Sequence, residues 1–122
     1  MNTIKLSTPC GDILGIDTAD CYEFRGIRYA VAGRWEYPAL VTDFGALYDA
    51  TEFGACSYQR RGFEKDEDCN HFYHKEFRQG MTFNYSADCL FLNIYAPKNA
   101  HNVPVLFYIH GGIFTGGSAN EG

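Results

Sequence analysis

The sequence predicts an α/β fold in which an antiparallel β meander precedes the first strands of a central sheet. Two observations predict it. Three short β-rich segments follow one another near the N-terminus, and two apolar runs stand near the C-terminus. The second run, Val103–Ile109, is apolar at nearly every position. That pattern is typical of a strand that helices cover on both faces.

The N-terminal part of the chain alternates between expected strands and loops. We expect strands at Thr3–Leu6, Asp12–Ile16 and Tyr22–Tyr29. The first gap, residues 8–11, has the composition of a turn, so the three strands should form an antiparallel meander. Residues 32–54 carry no sustained period and are expected to be loop with short strand pieces.

The C-terminal part contains the stronger strands. Residues 56–87 are long, polar and aromatic, with one short helix expected at Asp68–Phe77. A strand is predicted at Cys89–Tyr95, stopping near Pro97 because proline ends pairing. A second is predicted at Val103–Ile109. Because the chain offers almost no helix to cover that strand, we expect the covering helices to lie in sequence outside it.

Composition excludes several classes of partner. The 122 residues, 46% hydrophobic and 20% charged, fit one globular domain. The net charge of −5 disfavours nucleic acid as a partner. No apolar stretch is long enough to span a membrane, and the N-terminus lacks the apolar core of a signal peptide. Five cysteines are an odd number, which fits reduced thiols. We therefore expect a cytoplasmic protein without nucleic-acid or membrane partners, and its oligomeric state stays open.

One cluster has the residue types of a metal site. Cys69, His71 and His74 lie close together in the sequence, and both residue types bind zinc. The spacing is irregular and no fourth ligand is defined. The sequence therefore predicts no metal and no cofactor.

The glycines after the last apolar run carry the clearest chemistry. Ile109 is followed by His110, Gly111 and Gly112. Paired glycines allow a loop to direct consecutive main-chain N–H groups at a ligand. Such donors stabilise the negative charge that develops on a carbonyl oxygen during acyl transfer. Esterases and lipases place this oxyanion loop directly after an apolar strand.

Four segments together resemble a known family. They are Phe24–Ala30, Asp49–Cys56, Ser86–Pro97 and the His-Gly-Gly segment. In this order they resemble the N-terminal part of the type-B carboxylesterases, the cholinesterase and para-nitrobenzyl-esterase group of α/β-hydrolases. The third is the most specific, because it is close to the family's Ser-Glu-Asp-Cys-Leu-x-Leu-Asn signature.

The resemblance implies a fold, an activity and a substrate class. Residues 1–122 are then the N-terminal portion of a single α/β-hydrolase domain, incomplete by itself. The implied activity is that of a serine esterase, which forms an acyl-enzyme, needs no cofactor and takes a small-molecule carboxylic ester. The alternative is a non-catalytic, cholinesterase-like binding or adhesion protein.

The resemblance also assigns roles to individual residues. Gly111, Gly112 and Ile113 occupy the oxyanion-loop positions and act through their main-chain N–H groups. Ile113 stands where relatives often have glycine or alanine, so its branched side chain should narrow the acyl site. Phe114 and Ser118 are expected to line the substrate pocket.

Two further expectations follow from the resemblance. His110 precedes the oxyanion glycines, and its expected role is to fix the loop by hydrogen bonding rather than to act as the catalytic base. Cys56 and Cys89 match positions that many secreted relatives join by a disulfide. Without a secretion signal we expect free thiols, with the disulfide as the alternative under oxidising conditions.

The catalytic residues themselves are not in this sequence. Serine esterases of this fold need a Gly-x-Ser-x-Gly nucleophile, followed by Asp or Glu and then His. No Gly-x-Ser-x-Gly occurs in the chain. We therefore expect the 122 residues alone not to hydrolyse esters.

Overall fold

The computed structural model describes residues 2–59, 82–113 and 116–120. Its strands are β1 (Thr3–Thr8), β2 (Gly11–Asp17), β3 (Cys21–Arg28), β4 (Ala30–Val31), β5 (Ala39–Leu40), β6 (Tyr48–Asp49) and β7 (Phe91–Pro97). The expected helix Asp68–Phe77, which contains the candidate ligands Cys69, His71 and His74, lies outside the described residues. The part of the chain that is described includes no helix of the length and apolarity needed to cross a membrane.

The main sheet is the predicted antiparallel meander with two additions. Its order is β1-β2-β3-β7, with β6 pairing in parallel against β2. The β1–β2 register runs from Thr3 opposite Ile16 to Thr8 opposite Gly11. At the turn, the Thr8 hydroxyl donates to the Gly11 carbonyl at 2.7 Å and accepts from the Cys10 N–H at 3.2 Å. These bonds satisfy turn groups that the ladder leaves unpaired.

A small apolar core packs against one face of this sheet. Its buried members are Ile13, Phe24, Ile27 and Ala50. Partly buried apolar side chains surround them: Ile4, Tyr22, Phe44, Tyr48 and Leu92. The core therefore joins the meander to β7 and to the loop that carries β6.

A bulge interrupts the pairing of β3 with β7. The register shifts between Phe24 and Ile27, and Gly26 between them has a φ of 64°. A side chain at Gly26 would meet the Glu52 carbonyl oxygen at 2.5 Å, so only glycine fits. The Gly26 N–H donates a hydrogen bond to Asn93 Oδ1 at 2.8 Å. The bulge thereby brings the loop after β6 close to the sheet.

Two strand predictions need correction. β7 begins at Phe91 rather than Cys89, and it continues to Pro97, which pairs opposite Cys21 at the end of the ladder. The buried strand predicted at Val103–Ile109 is wrong for this structure. That segment has no strand assignment, and Val105 and Leu106 are 88% and 93% exposed.

The physical reason lies in what such a strand requires. A strand that is apolar on both faces is stabilised by neighbouring strands on its edges and by cover above and below. Within residues 2–59, 82–113 and 116–120, no strand pairs with Val103–Ile109. Its apolar side chains therefore remain in solvent.

Candidate functional site

The candidate site is the glycine turn, which we define as residues 110–118, with 110–113 and 116–118 described. Gly112 has a φ of 140° and Gly117 a φ of 128°, which glycine adopts readily. Ile113 has a φ of 50°, an uncommon conformation for a β-branched residue. The Gly116 N–H donates to the Gly112 carbonyl at 3.2 Å. This bond closes the turn on itself.

The two ends of the glycine turn are in close contact. A Cβ on Gly117 would collide with the Gly111 carbonyl oxygen and would lie 2.5 Å from His110 Nδ1. His110 Nδ1 is 2.8 Å from the same Gly111 carbonyl, which can only accept, so this ring nitrogen carries the proton. His110 therefore forms a hydrogen bond within the turn, and its expected role in fixing the loop stays a prediction.

The predicted oxyanion donors belong to the first residues of this turn. Gly111, Gly112 and Ile113 are exposed, and they are consecutive in the chain. These three residues are therefore accessible to solvent. Phe114, which was predicted to line the pocket, lies outside the described residues.

Gln59 holds the far end of the glycine turn with its side-chain amide. Its Oε1 accepts a hydrogen bond from the Gly117 N–H at 2.6 Å. Its Nε2 donates to the Gly117 carbonyl at 3.1 Å and to the Ser57 carbonyl at 3.0 Å. One side chain thus pairs with both main-chain groups of Gly117, in the manner of a neighbouring strand.

Ser118 is buried directly beside a thiol. Its side chain is 6% exposed, and its Oγ lies 2.9 Å from Cys56 Sγ. The Asn120 N–H donates to the same Oγ at 3.0 Å, and Asn120 Nδ2 donates to the Gly54 carbonyl at 2.8 Å. Ser118 is therefore an internal contact in the described structure, and its pocket-lining role stays a prediction.

A shallow groove borders this cluster. It is lined by Phe53, Thr82, Phe83 and Asn120, and Ser118 does not contribute to it. Asn120 links the groove to the thiol cluster because its Nδ2 also lies 3.5 Å from Cys56 Sγ.

Cys56 and Cys89 are free thiols in this structure. Cys56 is buried, and its N–H donates to the Asn84 carbonyl at 2.7 Å. Burial raises the pKa of the Cys89 thiol, and the negative charge of Asp88 and the nearby Cys56 raise it further. Cys89 is therefore protonated, and weakly nucleophilic, around neutral pH.

An ion pair lies next to Cys89. Arg28 donates to the Asp88 carboxylate, and its guanidinium stacks over the Phe91 ring at 4.7 Å from the centroid. The hydrogen bond to Asp88 raises the pKa of Arg28 above its usual value. The pair fastens the end of β3 to the segment that enters β7.

No metal site is formed in the described part of the chain, where no three His, Cys, Asp or Glu side chains are grouped to hold an ion. Sequence reasoning missed Gln59, whose side chain binds Gly117, and Asn120, whose main-chain N–H binds Ser118 and whose side chain binds Gly54. Neither side chain carried a local signal, because Gly117 and Gly54 are distant from them in the sequence. Asn93 belongs to the Ser86–Pro97 segment, but nothing in the sequence indicates its contact with Gly26.

Comparison with known proteins decides the family. The family model described as the carboxylesterase family matches residues 2–121. The chain belongs to the carboxylesterase family. This agrees with the four sequence segments that resemble type-B carboxylesterases.

Individual relatives agree with the family assignment. Gut esterase 1 of Caenorhabditis elegans is 31% identical over 120 residues, covering 95% of this chain and 19% of the relative. Para-nitrobenzyl esterase of Bacillus subtilis is 28% identical over 121 residues, covering 95% of this chain and 22% of the relative. A solved structure of a thermophilic PNB esterase superposes with a TM-score of 0.68 and 28% identity, over 91% of this chain and 22% of that one.

The carboxylesterase relatives are much longer than this chain. The chain spans about a fifth of the length of the curated relatives it matches. The similarity to the solved PNB esterase structures, which are α/β-hydrolases, is consistent with the predicted fold class. Among the described residues, strands are the only regular elements.

Proposed function

We propose that this chain supplies the oxyanion turn of a serine carboxylesterase acting on small-molecule carboxylic esters. The donors are the main-chain N–H groups of Gly111, Gly112 and Ile113. The observation that carries the proposal is the glycine turn of a carboxylesterase-family chain. The hydrogen bond from the Gly116 N–H to the Gly112 carbonyl closes this turn, and residues 111–113 are exposed.

The proposed role matches the chemistry of acyl transfer. When a nucleophile adds to an ester carbonyl, negative charge develops on the carbonyl oxygen. Main-chain N–H groups that are fixed before the reaction stabilise that charge without reorganising. Removing one such donor typically costs about 3 kcal/mol of transition-state stabilisation.

The substrate class is proposed from the family and from the names of its members. Two of the similar proteins are named as esterases, gut esterase 1 and para-nitrobenzyl esterase. We propose carboxylic esters as the class and leave the acyl and alcohol groups open. The nucleophile, acid and base are proposed to come from polypeptide other than these 122 residues, because the chain has no Gly-x-Ser-x-Gly.

A chimera tests the oxyanion role. Residues 1–122 would replace the matching segment of the Bacillus subtilis esterase, and hydrolysis of p-nitrophenyl acetate would be followed. Gly111→Pro removes one N–H donor and should lower kcat about 100-fold or more. Gly111→Ala is the matched control, since a Cβ there meets no atom within 4 Å and the N–H is kept. Equal activity of the two variants contradicts the proposal.

The purified chain tests the proposed inactivity. Mixed with p-nitrophenyl acetate, it should release no p-nitrophenol beyond the rate in buffer and should show no acyl-enzyme burst. A burst stoichiometric with the chain would show that a nucleophile lies within the 122 residues.

A further inference from the structure

We infer that Gln59 is a positioning residue that sets the geometry of the glycine turn. Its carboxamide binds the main chain of Gly117 in both directions, at 2.6 Å from the N–H and 3.1 Å to the carbonyl. Its importance for catalysis rests on the proposed function, whereas its structural part does not. Gln59 itself touches no proposed oxyanion donor and acts through Gly117.

The carboxamide of Gln59 uses both of its donor protons and one lone pair of its oxygen. Both Nε2 protons are used, one on the Gly117 carbonyl and one on the Ser57 carbonyl. The orientation of the amide is determined by these partners, because a flipped amide would set its NH₂ group against the Gly117 N–H. No other side chain of similar length offers two donors and an acceptor in one plane.

Gly117 passes this constraint to the proposed oxyanion residues. It lies so close to the Gly111 carbonyl and the His110 ring that no Cβ fits between them. The adjacent Gly116 N–H donates to the Gly112 carbonyl. A displacement of Gly117 therefore moves Gly111 or breaks the bond to Gly112.

A second set of contacts, made by Ser118, keeps Gly117 from shifting together with Gln59. The next residue, Ser118, is buried with its Oγ between Cys56 Sγ and the Asn120 N–H. Ser118 on one side and Gln59 on the other therefore both restrain Gly117. The end of the glycine turn is thus held by the internal cluster of Cys56, Ser118 and Asn120.

Hydrogen exchange on the whole chain tests the inference. Exchange would be read at single amides by mass spectrometry at low micromolar protein. Gln59→Met keeps the length of the side chain and removes its hydrogen bonds. At pH 7 it should speed exchange of the Gly117 and Gly116 amides at least fivefold, which corresponds to about 1 kcal/mol.

Ser57→Ala is the matched control for this experiment. It removes only a contact of 3.4 Å from Gln59 Nε2 and leaves the Ser57 carbonyl in place, so exchange at both glycines should stay at the wild-type rate. If Gly117 alone becomes faster in Gln59→Met, the contact is local and the inference fails. A wild-type chain with an unprotected Gly117 amide also overturns it.

A carboxyl substitution provides a rescue that a purely steric role would not show. In Gln59→Glu the ionised carboxylate accepts from the Gly117 N–H but cannot donate to its carbonyl. Below its usual pKa of about 4.3 the protonated carboxyl can do both. The ratio of variant to wild-type exchange at Gly116 should therefore fall toward one between pH 7 and pH 3.5. A ratio that does not change with pH counts against the inference.

The esterase chimera separates this inference from the proposed function. Gln59→Met should lower kcat at least tenfold and leave KM within about twofold, because misplaced oxyanion donors weaken the transition state more than substrate binding. If Gly111→Pro is impaired relative to Gly111→Ala while Gln59→Met keeps full activity, the positioning role fails and the proposed function stands. If Gly111→Pro and Gly111→Ala are equal, the proposed function fails and the exchange results alone decide the positioning role.

Discussion

The hydroxyl group of Tyr48 donates a hydrogen bond to the Gly26 carbonyl at 2.7 Å, inside the bulge of β3. The same oxygen accepts from the Arg28 N–H at 3.0 Å. The ring of Tyr48 packs on Phe44 with the centroids 4.9 Å apart. One phenol therefore satisfies two main-chain groups that the interrupted ladder leaves without a strand partner.

We expect Tyr48→Phe to lower the free energy of unfolding by about 1–3 kcal/mol, because the ring is kept and two part-buried main-chain groups lose their partner. Urea denaturation at low micromolar concentration measures this change. Tyr37→Phe is the control, since Tyr37 is 98% exposed and should change stability by less than about 0.5 kcal/mol. Equal effects of the two substitutions would contradict the assigned role of Tyr48.

Asn93 binds the same bulge through the Gly26 N–H. Its Oδ1 accepts from the Gly26 N–H and its Nδ2 donates to the Ala119 carbonyl at 2.9 Å. Asn93→Leu should cost about 1–3 kcal/mol in urea denaturation and should speed hydrogen exchange at Gly26. The exposed Asn2, changed to leucine, is the control. Unchanged Gly26 exchange in Asn93→Leu would show that this contact is not maintained in solution.

The exposed run Val103–Ile109 should make the purified chain self-associate, because it offers unpaired strand edges and apolar side chains. Leu106→Lys places a charge in that run and should raise the concentration at which light scattering appears. Leu40→Lys makes the same charge change at a residue that is 77% exposed and lies outside the run, so it should have little effect. A wild-type chain that stays monomeric with a sharp cooperative melt would contradict this prediction.

The raised pKa of Cys89 predicts slow alkylation by iodoacetamide at pH 8, because the thiolate fraction is reduced. Asp88→Asn removes one of the causes, so it lowers this pKa and should speed alkylation of Cys89 roughly two- to fivefold. Arg28→Gln breaks the Arg28–Asp88 ion pair but keeps the Asp88 carboxylate, so it should not increase the rate of Cys89 alkylation. If both variants react equally fast, local opening and not the carboxylate controls the rate. Site-resolved mass spectrometry measures both.

The N-terminal meander could be predicted because local information determines it. Thr3–Leu6 and Asp12–Ile16 have strand composition, and the residues between them have the composition of a turn, so pairing and register follow from neighbours in sequence. β1 and β2 extend these segments by at most two residues at an end.

The error at Val103–Ile109 has the opposite origin. An apolar run indicates the surroundings for which a segment is suited, and those surroundings are other strands and covering elements. None of the described residues supplies them, so the segment is exposed. Composition therefore predicted that Val103–Ile109 is suited to a buried strand, but not that the segment is exposed and unpaired in this structure.

The candidate site was predictable at its glycines and not at its supports. The His-Gly-Gly motif marks the turn because its second glycine, Gly112, has a φ of 140°, which favours glycine. Gln59 carries no such mark, since its partner Gly117 lies 58 residues away and glutamine is common in polar loops. Only the three-dimensional contact distinguishes it from its neighbours.

The left-handed backbone of Ile113 has a consequence for selection on this turn. A β-branched residue at a φ of 50° stores about 1–3 kcal/mol of strain, which the rest of the structure must offset. On the proposed function, the same side chain narrows the acyl site. Ile113→Gly would then relieve the backbone strain and widen the acyl site at the same time. At this residue a gain in folding stability is therefore coupled to a loss of substrate selectivity.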